Sequence, residues 1–438
     1  MLPDYIAKTA PNPASRRAPW YVNTAPSYAG VFLWVVFYMK LAEGTINRAG
    51  LGLCLIALAV AGVISYGWFY RVPAMLGMQT GYPLYVVGSS TFGTRGGYLM
   101  PGLLMGLLQI GWFSVNTFVS ADFILKGLKA DAGPATLPFA LTAVLWGYTM
   151  AYVGVKGIRY VARFALYLNL IPLLMILFVF LRTAGGLEKH VVTDPAPYVG
   201  FTLLVHAVVG FFATAGAAGA DFGMNSRNER DVELGGKVGI ALAILVAGGL
   251  PLLSVAGARG LYGIEGYTYD AVIAGIGGLV ATGMFFLFAI ASVPPACFCA
   301  FIAGNSFATM IPGVPRLTST MIGATVALIL AITGAAADLI GLFTIVGASF
   351  GPICGAMAAD YLLSGRRWAG PREGINLAGY GAWAVGFLIG ILPFLPLAET
   401  TKMYLQPASV YSFVAGFVVY WILAKAGLEP PVVPLRPA

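Results

Sequence analysis

The chain has 438 residues, of which 59% are hydrophobic and 10% charged, and it carries a net charge of +8. A soluble domain carries about 25% charged residues, and a chain of this length in water must still cover a large polar surface, so the composition excludes a soluble protein and points to lipid as solvent. The basic residues stand in short loops between apolar runs, without a basic patch interleaved with aromatics, so the positive balance is read as membrane orientation and not as nucleic-acid binding.

Residues 1–26 are polar and Pro-rich, show no cleavable leader pattern, and are read as a cytoplasmic N-terminal tail. From there, apolar stretches of the roughly 20 residues needed to cross a bilayer recur at 27–47, 50–70, 96–127, 134–155, 158–182, 197–222, 236–258, 275–307, 317–335, 337–363, 377–397 and 408–426. Residues 27–426 thus form a single transmembrane domain, and 427–438 a C-terminal tail. With twelve spans both termini share one side. Of the 25 Lys and Arg, 17 fall on that side and seven on the other, with Lys40 inside a span, which places both termini in the cytoplasm. Trp20, Tyr21, Trp68 and Tyr70 lie near span ends, as an aromatic belt would.

Polar groups within the spans carry the functional information, because each is costly in hydrocarbon. In span one, Lys40 stands three residues before Glu43, close enough to share a helical face; it either snorkels to the outer interface or supplies a cation near a site. The segment 71–96 is long and mildly apolar, and is read as a cytoplasmic loop with a short interfacial helix. Span three carries Gln109, Trp112, Asn116 and Ser120 at spacings of three, four and four, one helical face that should look into the bundle. That stripe suits either interhelical hydrogen bonding or a cavity with an aromatic wall at Trp112. Span five has Asn169 and Pro172. Span six carries Gly210, Gly216 and Gly219 among small residues, which would weaken the helix at its middle or allow close packing, with Phe211 and Phe212 just before. His206 reads as a packing residue. Span eight contains Pro294 and Pro295, which remove backbone donors in mid-membrane and predict a break. Asp122, Asp221 and Asp360 lie at span ends as structural carboxylates. Cys54, Cys297, Cys299 and Cys354 are all in apolar context, so neither a metal site nor a cofactor is read from them.

Four stretches together resemble nucleobase–cation symporter family one, the family of cytosine and purine permeases and of allantoin and hydantoin transporters. They are the loop GYPLYVVGSSTFGTRGGYLMP, especially Phe92 to Gly96 and Pro101; GWFSVN in span three; VVGFFATAGAAGADF in span six; and GASFGPICGAMAADYLLSGRR in span ten, with Gly351, Pro352, Gly355, Asp360, Tyr361, Arg366 and Arg367. The resemblance implies an all-α integral membrane protein with a leucine-transporter-like 5+5 inverted repeat, about 27–182 and 197–363, and two peripheral helices in 377–426. It also implies alternating access, with a substrate ring between Trp112 and Phe212 and an amide contact from Asn116; Gln109 and Gly210 complete the candidate substrate site. The family's sodium site draws oxygens from spans one and eight. Here its span-eight hydroxyl pair falls at Val293, Pro294 and Pro295, leaving only Ser292. Hard cations need oxygen ligands, so Lys40 and Ser292 become the candidates for cation coupling, with a proton favoured over sodium.

The expected function is therefore import of a nucleobase or related small planar heterocycle with a coupling cation. An amino-acid or amine transporter of the same fold, or a passive facilitator, is the alternative. No H-E-x-x-H or G-x-S-x-G pattern, and no partner for His206, supports an enzyme.

Overall fold

The computed structural model describes residues 2–24, 31–39, 41–311 and 313–435. Apart from two isolated bridges, Ala18 with Ser226 and Arg372 with Val432, the described secondary structure is helical. Ten helices among the described residues are long and apolar enough to cross a membrane, and Arg316–Ile332 is a shorter apolar one. With the opening helix α1, Val31–Phe37, these fall at the positions of the twelve expected spans. Lys40 lies outside the described residues.

Three helix boundaries differ from expectation. The first is in span one, where no Gly or Pro stands between Val31 and Met39 to break the helix. Even so, α1 stops at Phe37, and Tyr38 and Met39 form a turn in which the Met39 N–H reaches back only to the Val36 carbonyl. The chain resumes as α2, Leu41–Ile64, with a sharp bend at Gly50, whose φ of 74° and ψ of 170° end span one and start span two where the sequence predicts the join. The second concerns span two, which does not end at residue 70. It continues through a π-helical turn, Ser65–Tyr70, into α3, Arg71–Thr80, closed by Gly81 in the left-handed conformation. The loop that follows holds two short helices, Leu84–Val87 and Ser89–Phe92, in place of one. The third concerns spans four and five. After α4, Leu104–Gly127, comes a single 47-residue helix α5, Leu137–Thr183. It carries the apolar stretch Leu137–Lys156 and most of the second, Leu170–Lys189, which runs on through the turn Ala184–Lys189, and helical backbone continues through the Lys156–Arg159 stretch that reads as a loop. Pro172 sits inside α5 without ending it.

Spans six to twelve follow as α6 (Pro197–Ala217), a seventh span ending in α7 (Gly249–Tyr262), α8 (Gly278–Ala291) with α9 (Val293–Met310), α10 (Arg316–Ile332), α11 (Leu339–Leu363), α12 (Leu377–Ile391) and α13 (Ala408–Lys425). Span eight breaks at Ser292 between α8 and α9, with Pro294 and Pro295 in the first turn of α9, where a missing N–H costs nothing. Lipid tails are as apolar as the side chains, so helices associate through close small-residue packing. A Cβ on Gly210 would lie 2.5 Å from the Phe343 carbonyl oxygen, and one on Gly216 2.6 Å from the Phe69 Cβ. These contacts bring span six against spans ten and two. They also correct the expected mid-helix break: α6 is continuous through Gly210 and Gly216 and ends only at Ala217, before the short helix Gly219–Gly223. Tyr70, expected in an interfacial belt, is fully buried among these contacts, whereas Tyr21 and Trp68 are exposed.

Candidate functional site

The polar stripe of span three faces the bundle. Gln109, Trp112, Asn116 and Ser120 are all buried. They form a ladder on α4: the Asn116 side-chain amide donates to the Trp112 carbonyl at 2.8 Å, and the Ser120 hydroxyl donates to the Asn116 carbonyl at 2.6 Å. Gln109 reaches only the Met105 sulfur, at 3.7 Å. The Asn116 Oδ1 has no hydrogen-bond partner among the described residues, although the residue is 1% exposed. An unsatisfied buried acceptor costs about 1–3 kcal/mol, which a donor on a bound molecule would offset.

Trp112 is held in an aromatic cluster contributed by four spans. Its ring meets Phe211 of α6 edge-on at 5.1 Å and Phe343 of α11 at 5.6 Å. Phe37 of α1 stacks on Phe343 at 5.5 Å and meets Phe211 at 5.9 Å. Phe212, the expected partner of Trp112, turns instead toward Trp34, at 6.2 Å, and its neighbour Phe211. The reason is helical geometry: adjacent residues on α6 point about 100° apart, so only one of the pair can face α4. Phe37 and Phe343 carried no sequence signal of a site. Trp34, Phe37 and Tyr38 do recur at spacings of three and one along span one, a stripe legible afterwards as one helical face. The Trp34 indole N–H and the Tyr38 hydroxyl also lack partners among the described residues.

The remaining candidates separate by role. Gly210 is a packing contact against the Phe343 backbone. Ser292 sits at the span-eight break, but its hydroxyl is engaged with the Ala289 carbonyl at 2.7 Å and with the Ser120 hydroxyl at 2.6 Å. It ties span eight to the span-three ladder. His206 is a packing residue: its Nδ1 accepts the Ser409 N–H at 3.1 Å and its Nε2 lies 2.9 Å from the Thr344 hydroxyl. A ring nitrogen that accepts a backbone N–H is unprotonated, so this imidazole is the neutral Nε2–H tautomer. Among the described residues no group of three or more His, Cys, Asp or Glu could hold an ion.

At the other end of span ten, Asp360 anchors a buried polar knot. It accepts from the Ser90 and Thr91 hydroxyls at 2.7 and 2.9 Å and from Arg372 Nη1 at 2.9 Å. Arg372 Nη2 also meets Glu429 at 2.8 Å, and the Tyr420 hydroxyl donates to the same carboxylate at 2.7 Å. The knot joins the Ser89–Phe92 loop helix, α11, the connection from α11 to α12, α13 and the C-terminal tail. The carboxylates of Asp221 and Asp122 are likewise structural, accepting from the Leu84 N–H and from Lys126.

Comparison with known proteins places this architecture. The chain is 25% identical over 317 residues to the cytosine permease of Escherichia coli (strain K12), covering 70% of each chain, and 23% identical over 436 residues to a putative allantoin permease of the same strain, covering 84% of each. Among solved structures, MHP1, a nucleobase-cation-symport-1 family transporter in a closed conformation with bromovinylhydantoin bound, superposes with a TM-score of 0.68 at 18% identity, covering 96% of this chain and 94% of that one, which shows a shared fold. Residues 11–423 match the family described as a permease for cytosine/purines, uracil, thiamine and allantoin, and the chain therefore belongs to that family of nucleobase–cation symporters.

Proposed function

We propose that this transporter imports a nucleobase or a related small planar heterocycle across the cytoplasmic membrane by alternating access, with both termini in the cytoplasm and a proton rather than sodium as the coupling cation. The observation that carries the substrate class is the unpartnered Asn116 Oδ1 one helical turn below Trp112. A planar ring with N–H donors answers both: stacking on the indole supplies affinity, and the amide selects the ring edge. Phe211 is the span-six ring that would close on such a substrate, because it is the one in contact with Trp112. The edge-on contact between them must open to admit the ring, and Phe343 and Phe37 would follow as spans ten and one move. Gln109, with only a sulfur contact, is free to add a second hydrogen bond. The repeats at about 27–182 and 197–363 would rock around this point.

Proton coupling is supported by the oxygen inventory of span eight. Val293, Pro294 and Pro295 offer no side-chain oxygen, so Ser292, tied to Ala289 and Ser120, is the one hydroxyl at the break where the resemblance implies a pair. Lys40, which follows Met39 in the sequence, is the candidate to take the role of the sodium ion. A thermal-shift screen of purified protein against nucleobases, hydantoins, allantoin and amino acids tests the substrate class. A ligand present at 100 times its Kd stabilises by about 2.7 kcal/mol; stabilisation by amino acids but by no heterocycle would overturn the proposal.

A further inference from the structure

A second site lies on the outer wall of the bundle. A cavity of about 410 Å³ opens between span two, span ten and span twelve. Its floor is apolar and aromatic: Trp68 stacks on Phe413 at 5.4 Å, and Val414 and Phe417 continue the wall along α13. Trp68 and Val414 are both about two-fifths exposed, at 42%, on a surface that meets lipid. The rim carries two guanidinium groups, Arg71 and Arg366, and one carboxylate, Glu229. Arg71 spends its Nε on Glu233, at 2.5 Å, and that carboxylate is shared with Lys237 at 3.2 Å. The terminal nitrogens of Arg71 make no hydrogen bond among the described residues, and the Arg366 side chain has no partner among them at all. Counting Arg71, Lys237 and Arg366 against Glu229 and Glu233, the rim keeps one net positive charge.

We propose that this cavity binds an anionic phospholipid of the cytoplasmic leaflet, its phosphate held by Arg366 and Arg71 and its acyl chain laid against Trp68, Phe413 and Phe417. Charge complementarity selects this occupant: the net positive rim is answered by an anionic headgroup, whereas a zwitterionic one brings its own cation to the two arginines, and a free phosphate would leave the apolar floor bare. Arginine suits a phosphate because its planar fork binds two oxygens at once, and basic pockets between spans on the cytoplasmic side are where anionic headgroups settle. The site touches span two on one side and spans ten and twelve on the other, so its occupant bridges two groups of helices.

The test reconstitutes the full chain into phosphatidylcholine vesicles with and without phosphatidylglycerol, re-extracts it in detergent, and quantifies co-purifying lipid by mass spectrometry. The wild-type chain should retain phosphatidylglycerol in preference to phosphatidylcholine. Arg366→Gln should lower that retention about ten-fold, the loss of one charge-assisted phosphate contact, while Arg366→Lys keeps part of it. Val414→Trp, which fills the acyl groove and leaves the charges intact, should lower it as well. Monodispersity and substrate uptake report that both variants fold. Retention at the wild-type level in Arg366→Gln or in Val414→Trp, or displacement of the lipid by inorganic phosphate alone, would overturn the proposal.

Discussion

The Asp360 knot permits a worked prediction. Asp360 and Arg372 have side chains only 4% and 6% exposed, and they meet at 2.9 Å. Replacing Asp360 with Ala removes four hydrogen bonds, from Ser90, Thr91, Arg372 and, at 3.5 Å, Ser364, and leaves the Arg372 guanidinium with Glu429 as its one carboxylate. Breaking one side of a buried pair costs about 3–5 kcal/mol because the other charge stays buried without compensation. Glu429, at 24% exposure, softens this, so Asp360→Ala should cost about 3 kcal/mol, the lower end of that range. Arg372→Met leaves Asp360 with the Ser90 and Thr91 hydroxyls and should cost less. The double variant leaves neither Asp360 nor Arg372 as a buried charge, and Glu429, part-exposed, keeps the Tyr420 hydroxyl, so it should be more stable than the sum of the singles predicts, with a coupling energy of about 2 kcal/mol. Denaturant midpoints in detergent micelles, followed by intrinsic fluorescence, measure all three. Additivity within about 0.5 kcal/mol would show that the pair is not energetically coupled and refute the reasoning.

Phe211→Ala should weaken heterocycle binding by at least about ten-fold, the loss of one stacked ring and its buried area, and Phe212→Ala markedly less; the reverse order in a binding isotherm would restore Phe212 as the wall. Gly210→Val should lower the yield of folded protein, since overpacking a tight contact costs about 1–3 kcal/mol and the clash is with backbone at Phe343; surviving protein should keep its ligand preference, checked by size-exclusion and thermal shift. Uptake should proceed equally with and without sodium and be lost in Lys40→Met, measured as substrate accumulation under an imposed pH gradient; sodium dependence in an active Lys40→Met protein would remove proton coupling.

How much of this was legible beforehand follows from which signals act locally. The apolar runs fix the spans because the bilayer thickness does, and Gly50 and the Pro294–Pro295 pair mark their breaks through their own backbone limits. The interruption after Phe37 was not legible, because no residue there prevents a helix. The charged stretch around Lys156 reads as a loop, yet α5 carries helix straight through it. The span-three stripe was readable from spacing alone. Its partners were not: Phe343 reaches Trp112 because Gly210 lets spans six and ten approach, and nothing in span ten announces that. Asp360 reads as a boundary carboxylate, but its pairing with Arg372 was not legible, since pairing across a loop leaves no periodic trace.

The central claim is that Trp112 and the free acceptor of Asn116 hold a planar heterocycle. Calorimetric titration of purified wild type, Trp112→Ala and Asn116→Ala with a panel of nucleobases and hydantoins tests it most directly. The account predicts that Trp112→Ala binds none of them, and that Asn116→Ala loses selectively those ligands whose ring N–H would meet the amide, by about ten-fold or more. Unchanged affinities and an unchanged ranking in both variants would contradict it.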